Sequence, residues 1–259
     1  MRSSLKLTPN SEQAHSSGGI DGPGRIGGRL KTVGVIGFGP QATIDFEQRF
    51  HLEAQKQWQG PQDFLSGYPP LAVYHCRHAP LALQKDGRPV APARPDPRLL
   101  EAARRLGAWC DFLVITANFP HLFSAELESV SGKPLLSMID LALQEVQRRG
   151  WKRVGVLGMG DPTVYTTRLV TLGIQCETIG MTLRSELDRA IRAVMEGRDN
   201  RASTVVARQA VSDLRARHVD GIVLGCTEIP LLLRETANSP DLLDPLGLLA
   251  RAAVREAMA

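Results

Sequence analysis

From Lys31 onward the chain repeats one pattern: a short apolar, partly β-branched run, a glycine-containing turn, then a helix-length stretch. Runs this short, without polar alternation, mark strands covered on both faces. Parallel strands joined through helices give that coverage, so the pattern constrains the chain to an α/β fold. The sharpest instance is Ile222-Val223-Leu224-Gly225-Cys226-Thr227-Glu228-Ile229-Pro230. It reads as strand, tight turn and helix start. Gly225 permits the turn, Thr227 is the expected cap, and Pro230 is tolerated in a first helical turn, where no donor is missed. This setting places the Cys226 thiol beside free backbone N–H groups, which lower a thiol pKa and hold carboxylates. The alternative is an inert, buried cysteine. The C-terminal edge of a parallel sheet, where ligands bind, favours the reactive reading.

Taken in order, residues 1–30 are rich in Ser and Gly and lack apolar periodicity, which predicts a disordered extension. Strands are expected at Thr32–Ile36, Pro70–Tyr74, Asp111–Thr116 and Leu135–Ile139. Helices are expected at Gln41–Lys56, Arg98–Leu106, after Pro120 and at Leu141–Arg149. Gly150 reads as a helix stop and a half-way boundary. A second series follows, with strands at Arg153–Leu157, Ile174–Ile179 and Val219–Leu224. Its helices begin at Thr163, Leu187 and Thr204. The stretch from Pro245 to residue 258 reads as a helix returning to the first half. The division is thus 31–149 with 245–258, and 150–244.

Composition narrows the function classes. A chain of 259 residues, 43% hydrophobic, can bury a full core. The formal charge of +4 is mild, and no Lys/Arg block interleaves with aromatics, so nucleic acid is not an expected partner. No apolar run is long enough to cross a bilayer. Cys76, Cys110, Cys176 and Cys226 show no metal-ligand spacing, which points to a reduced, cytoplasmic protein with no metal. Gly37-Phe38-Gly39 lacks the third glycine of a dinucleotide fingerprint, and no lysine stands out for pyridoxal, so no cofactor is expected.

Four motifs in fixed order resemble the aspartate/glutamate racemase superfamily. Gly225-Cys226-Thr227-Glu228 with Ile229-Pro230 resembles its second cysteine motif. Gly34 to Thr43, through Gly39, Pro40 and Gln41, resembles its opening glycine loop, one residue shorter than usual. Asn118-Phe119-Pro120-His121 resembles the Asn-Thr-x-His tail of its first cysteine motif. Leu243-Asp244-Pro245 matches its closing Asp-Pro. The resemblance implies two pseudo-symmetric flavodoxin-like domains, each with a mainly parallel sheet, and an active site in the cleft between them. It also implies a cofactor-independent isomerase acting on aspartate/glutamate-like acids. The family often forms homodimers; no sequence feature fixes that state here.

Removing an α-hydrogen needs a base on one face, a proton donor on the other and donors for the carboxylate. The resemblance implies two cysteines for this, and the chain departs from it twice. Ala117 stands at the first cysteine, and Met159 stands where the family usually has a carboxylate-binding threonine. Cys226 is therefore the expected proton carrier, with Asn118 and Thr227 as carboxylate contacts. Gly39, Pro40 and Gln41 shape the opening loop. Cys76 and His121 are the candidates for the Ala117 face, with His75 and His78 behind them. Arg77 can pair a distal carboxylate through its fork. Glu228 reads as a first-turn acid favoured by the helix dipole. Three activities fit: an amino-acid racemase or epimerase, a single-cysteine decarboxylase of malonate-type acids, or an inactive carboxylate binder.

Overall fold

A computed structural model describes residues 29–60, 67–85, 90–198 and 200–259. The expected extension lies outside the described residues up to position 28. Arg29, within the expected extension, pairs with Asp111 at 3.1 Å.

In the first half, Val33–Phe38 forms β1 and Pro40–Gln57 forms α1. Leu71–Cys76 is β2, Pro97–Gly107 is α2 and Phe112–Ile115 is β3. β1 runs parallel to β2 on one side and to β3 on the other. After β3 come a 3₁₀ turn at Phe119–Phe123, then α3 at Ser124–Ser131 and α4 at Met138–Arg148. The expected strand Leu135–Ile139 shrinks to one parallel bridge between Leu113 and Leu135. Ser137 ends it, because its side chain caps α4 by accepting from the Asp140 N–H at 3.1 Å.

The second half repeats this plan. Arg153–Leu157 is β4, Thr163–Thr171 is α5, Gln175–Glu177 is β5 and Met181–Met195 is α6. Arg201–Ala216 is α7, Gly221–Leu224 is β6, Ile229–Leu233 is α8, Leu242–Leu243 is β7 and Pro245–Met258 is α9. The parallel strand order is β5-β4-β6-β7. Counting the Leu135 bridge as a fourth position, the first sheet has the same order, β2-β1-β3 and then Leu135. This correspondence is the pseudo-symmetry. α6 starts earlier than its periodicity predicts because its first turn is exposed, Met181 at 83%. α7 starts earlier because Asn200 caps it, accepting from Ala202 N at 2.9 Å.

Two helices cross between the halves. α9 packs Leu246, Leu249, Ala250 and Val254 against Val33, Val35, Phe46 and Phe50 of the first half. Each fully buried leucine or valine there contributes about 1.5–3 kcal/mol. α4 does the reverse. Its Ile139, Ala142, Leu143 and Val146 pack with Val154, Val156, Tyr165 and Val223 of the second. α4 thus packs mainly with the second sheet, and the exchanged helices tie the lobes together. Among the described residues, no helix is long and apolar enough to cross a membrane.

Candidate active site

The C-terminal ends of the central strands deliver the site. β1 and β3 share register at Ile36 and Ile115, so Gly39 and Ala117-Asn118 emerge from adjacent strand ends. β4 and β6 share register at Leu157 and Leu224, so Gly158-Met159 and Gly225-Cys226 emerge from the other sheet. Between the two lobes lies a cavity of about 380 Å³. One wall is Phe38, Gly39, Pro80, Ala117, Asn118, Phe119 and Pro120. The opposite wall includes Gly158, Met159, Asp161, Pro162 and the Gly225–Glu228 turn.

Gly225 is required by close packing. Its N–H donates to the Leu157 carbonyl at 2.6 Å, and an added Cβ would sit 2.8 Å from that carbonyl oxygen and 3.1 Å from the Tyr165 ring. The next residue, Cys226, thereby reaches the cavity floor, where it is 8% exposed. Its sulfur lies 3.0 Å from Glu228 Oε2, and the Thr227 hydroxyl donates to the same oxygen at 3.1 Å. The backbone N–H groups of Glu228 and Met159 also point at the sulfur and favour the thiolate. Burial and the Glu228 charge outweigh them, and the thiol is pushed well above its ordinary value. This corrects the expectation of a lowered thiol pKa. Burial likewise raises the Glu228 carboxyl.

Two further expectations for this turn change. α8 has only five residues, and Thr227 does not cap it: the N-cap position is Glu228, no side chain caps the helix, and the Thr227 hydroxyl donates to the Glu228 carboxylate. Glu228 is no surface acid of a first turn: at 2% exposed, it is the thiol's direct partner. Gly39 makes this possible from the other lobe. It has φ +74°, and a Cβ on it would lie 2.9 Å from Glu228 Oε1.

Asn118 lines the opposite wall and is 8% exposed. Its Oδ1 accepts from the Tyr165 hydroxyl at 2.5 Å, across the lobes. Tyr165 is fully buried, and burial raises its pKa well above the ordinary value, so it remains the donor. The Asn118 NH₂ is left to donate elsewhere. Sequence reasoning missed Tyr165. The available signal was an aromatic one turn into the helix after the Gly158 loop.

Other candidates lie apart from the cavity. Cys76 ends β2 and packs among Ile36, Leu99, Leu106 and Ile115. Burial, then Asp96, pushes its thiol up to about 11, and it is not among the residues that line the cavity. His121 is 8% exposed and sits inside the 3₁₀ turn, which carries its ring away from the cavity that Phe119 and Pro120 line. Neither ring nitrogen has a well-aligned partner among the described residues. The nearby Ile115 carbonyl favours the protonated ring, but burial outweighs it and lowers the pKa to about 4. Arg77 and His75 are exposed, and His78 turns to the Ala79 carbonyl at 2.8 Å. None of the three lines the cavity. Of Gly39, Pro40 and Gln41, only Gly39 does. Pro40 is an exposed first residue of α1, and the half-buried Gln41 also stands outside it.

Fold and cavity define a class: two like α/β lobes, with a thiol–carboxylate pair at the strand ends facing an amide across a cleft. The chain belongs to the Asp/Glu/Hydantoin racemase family, whose model matches residues 35–253. Solved structures share the fold. Picrophilus torridus aspartate racemase superposes with a TM-score of 0.71 at 21% identity, over 88% of this chain and 94% of that one. An aspartate racemase homologue from Pyrococcus horikoshii gives 0.68 at 22% identity, over 89% and 100%. Glutamate racemase from Francisella tularensis, solved with D-glutamate, gives 0.58 at 14%, over 88% and 80%. An uncharacterized protein of Pectobacterium carotovorum is 30% identical over 110 residues, 41% of this chain and 73% of that one.

Proposed function

We propose that the protein is a cofactor-independent carbon-acid enzyme: Cys226 carries a proton at the carbon next to a carboxylate, and Glu228 governs that proton. The observation that carries this reading is the Cys226–Glu228 contact of 3.0 Å on the cleft floor. Asn118, held by Tyr165, presents its NH₂ to the substrate carboxylate as it becomes enolate-like. Backbone N–H groups of Met159 and Glu228 stabilise the thiolate whenever it forms.

Family membership favours racemisation or epimerisation of an amino acid. That reaction needs a second proton carrier on the wall formed by Ala117. The wall supplies no titratable side chain among the described residues, which weighs against two-base racemisation. A second reading is favoured by the same asymmetry. The ionisable groups lining the cavity, Asp161, Cys226 and Glu228, all come from one lobe, and the thiol is protonated at rest. A protonated thiol acts first as an acid. It fits an enzyme that loses CO₂ from a malonate-type acid and protonates the enediolate from one face.

The test is product stereochemistry in D₂O. Deuterium entering the α-position with inversion supports racemisation. CO₂ release with deuterium on a single face supports decarboxylation. Saturable binding with neither exchange nor CO₂ release refutes the enzyme reading and leaves a carboxylate binder.

A further inference from the structure

The walls of the cleft say what the substrate carries besides its reacting carboxylate. Phe38 and Phe119 from one lobe, and Met159, Pro162, Val164 and Met195 from the other, converge on the 380 Å³ cavity. Three of these are large apolar side chains left substantially exposed: Phe119 at 37%, Met159 at 41% and Met195 at 39%. Exposed apolar groups gathered at one concave site mark a surface that an apolar ligand covers. Charge points the same way. The charged side chains lining the cavity are Asp161 and Glu228, both acidic, and no Lys, Arg or His lines it among the described residues. A distal carboxylate, carried on the substituent, would lose its hydration, find no cation and face two acids.

We propose that the group on the reacting carbon is apolar, a branched alkyl chain or a single ring, and that the cleft rejects a distal carboxylate. The substrate class is thus an acid with an apolar α-substituent rather than aspartate or glutamate. Asn118 NH₂ holds a carboxylate on the reacting carbon, while the Phe and Met side chains cover the substituent. This rests on the cleft being the reaction site, but not on which reaction occurs there.

Two matched pairs test it by calorimetry, on wild-type protein and on Cys226→Ser. Leucine and aspartate share a core and nearly the same shape, with methyls replacing carboxylate oxygens. 4-Methylpentanoate and succinate repeat the comparison without the amino group. The apolar member of each pair is expected to bind at least about tenfold tighter in both proteins. Met159→Arg, which sets a cation at the mouth, is expected to shift the leucine/aspartate ratio at least about tenfold toward aspartate. Equal or tighter binding of aspartate or succinate to the wild type overturns the proposal. So does absence of saturable binding by both apolar acids. An unchanged ratio in a folded Met159→Arg protein also counts against it. If the wild type shows no turnover while the ratios hold, the proton-transfer reading falls and this one stands.

Discussion

Tyr165→Phe separates positioning from chemistry at the Asn118 wall. The substitution keeps the fully buried ring, and with it the packing against Gly225. It removes only the hydroxyl that donates to Asn118 Oδ1 at 2.5 Å. A buried acceptor left without its donor costs about 1–3 kcal/mol. Asn118 lines the cleft, where water offers partial relief, so the lower part of that range, about 1–2 kcal/mol, applies. For a chain of this size that lowers Tm by about 2–8 °C. The kinetic consequence is smaller than the bond suggests. Without the hydroxyl, the amide is free to turn over, and about half the molecules present oxygen where a donor is needed. Reaction selects the correct half, so the rate falls only about two- to tenfold. Asn118→Ala removes the donor altogether, and the rate should fall about 10²–10³-fold. Calorimetric melting and α-proton exchange in D₂O read the two effects. An unchanged Tm would show that the inter-lobe bond is absent. A rate loss in Tyr165→Phe as deep as in Asn118→Ala would show that the hydroxyl takes part in the chemistry itself.

Other predictions concern titration. Cys226 is expected to react with iodoacetamide at pH 8 at least about tenfold more slowly than free cysteine, whose pKa is near 8.5. Glu228→Gln removes the adjacent charge and should speed that reaction, with mass spectrometry of the Cys226 peptide as the readout; fast wild-type alkylation would contradict the pairing. His121 sets a pH dependence of stability. Its folded-state pKa is about 4 against an ordinary 6.5. Below pH 6.5 the unfolded ring takes a proton that the folded ring refuses, so stability is full above 6.5 and is lost as pH falls toward 4. About 2 kcal/mol should disappear between pH 7 and 5, measured by urea unfolding. His121→Leu should flatten that interval, and equal slopes in the two proteins would refute the assignment.

The α/β class, the strand–turn–helix at Cys226 and the return of the last helix were legible because each rests on local pattern. β6 must end at Gly225, since nothing larger fits beside Leu157 and Tyr165. Less legible were features set by partners distant in sequence. The Cys226 thiol looked activated from its own turn, but burial, which the tertiary fold imposes, and then the charge of Glu228 two residues on reverse the sign. Cys76 and His121 stand beside the right motifs yet are buried outside the cavity, Cys76 among Ile36, Leu99 and Ile115 at the end of its strand and His121 within a 3₁₀ turn. That α4 covers the second sheet is invisible in sequence, since an apolar helix face does not name the sheet it covers.

The most direct measurement is α-proton exchange in D₂O with an apolar amino acid such as leucine, comparing wild type with Cys226→Ser in matched folded samples. Exchange by the wild type and its loss in the variant are expected. Exchange that continues undiminished without the sulfur would contradict the claim that Cys226 carries the proton.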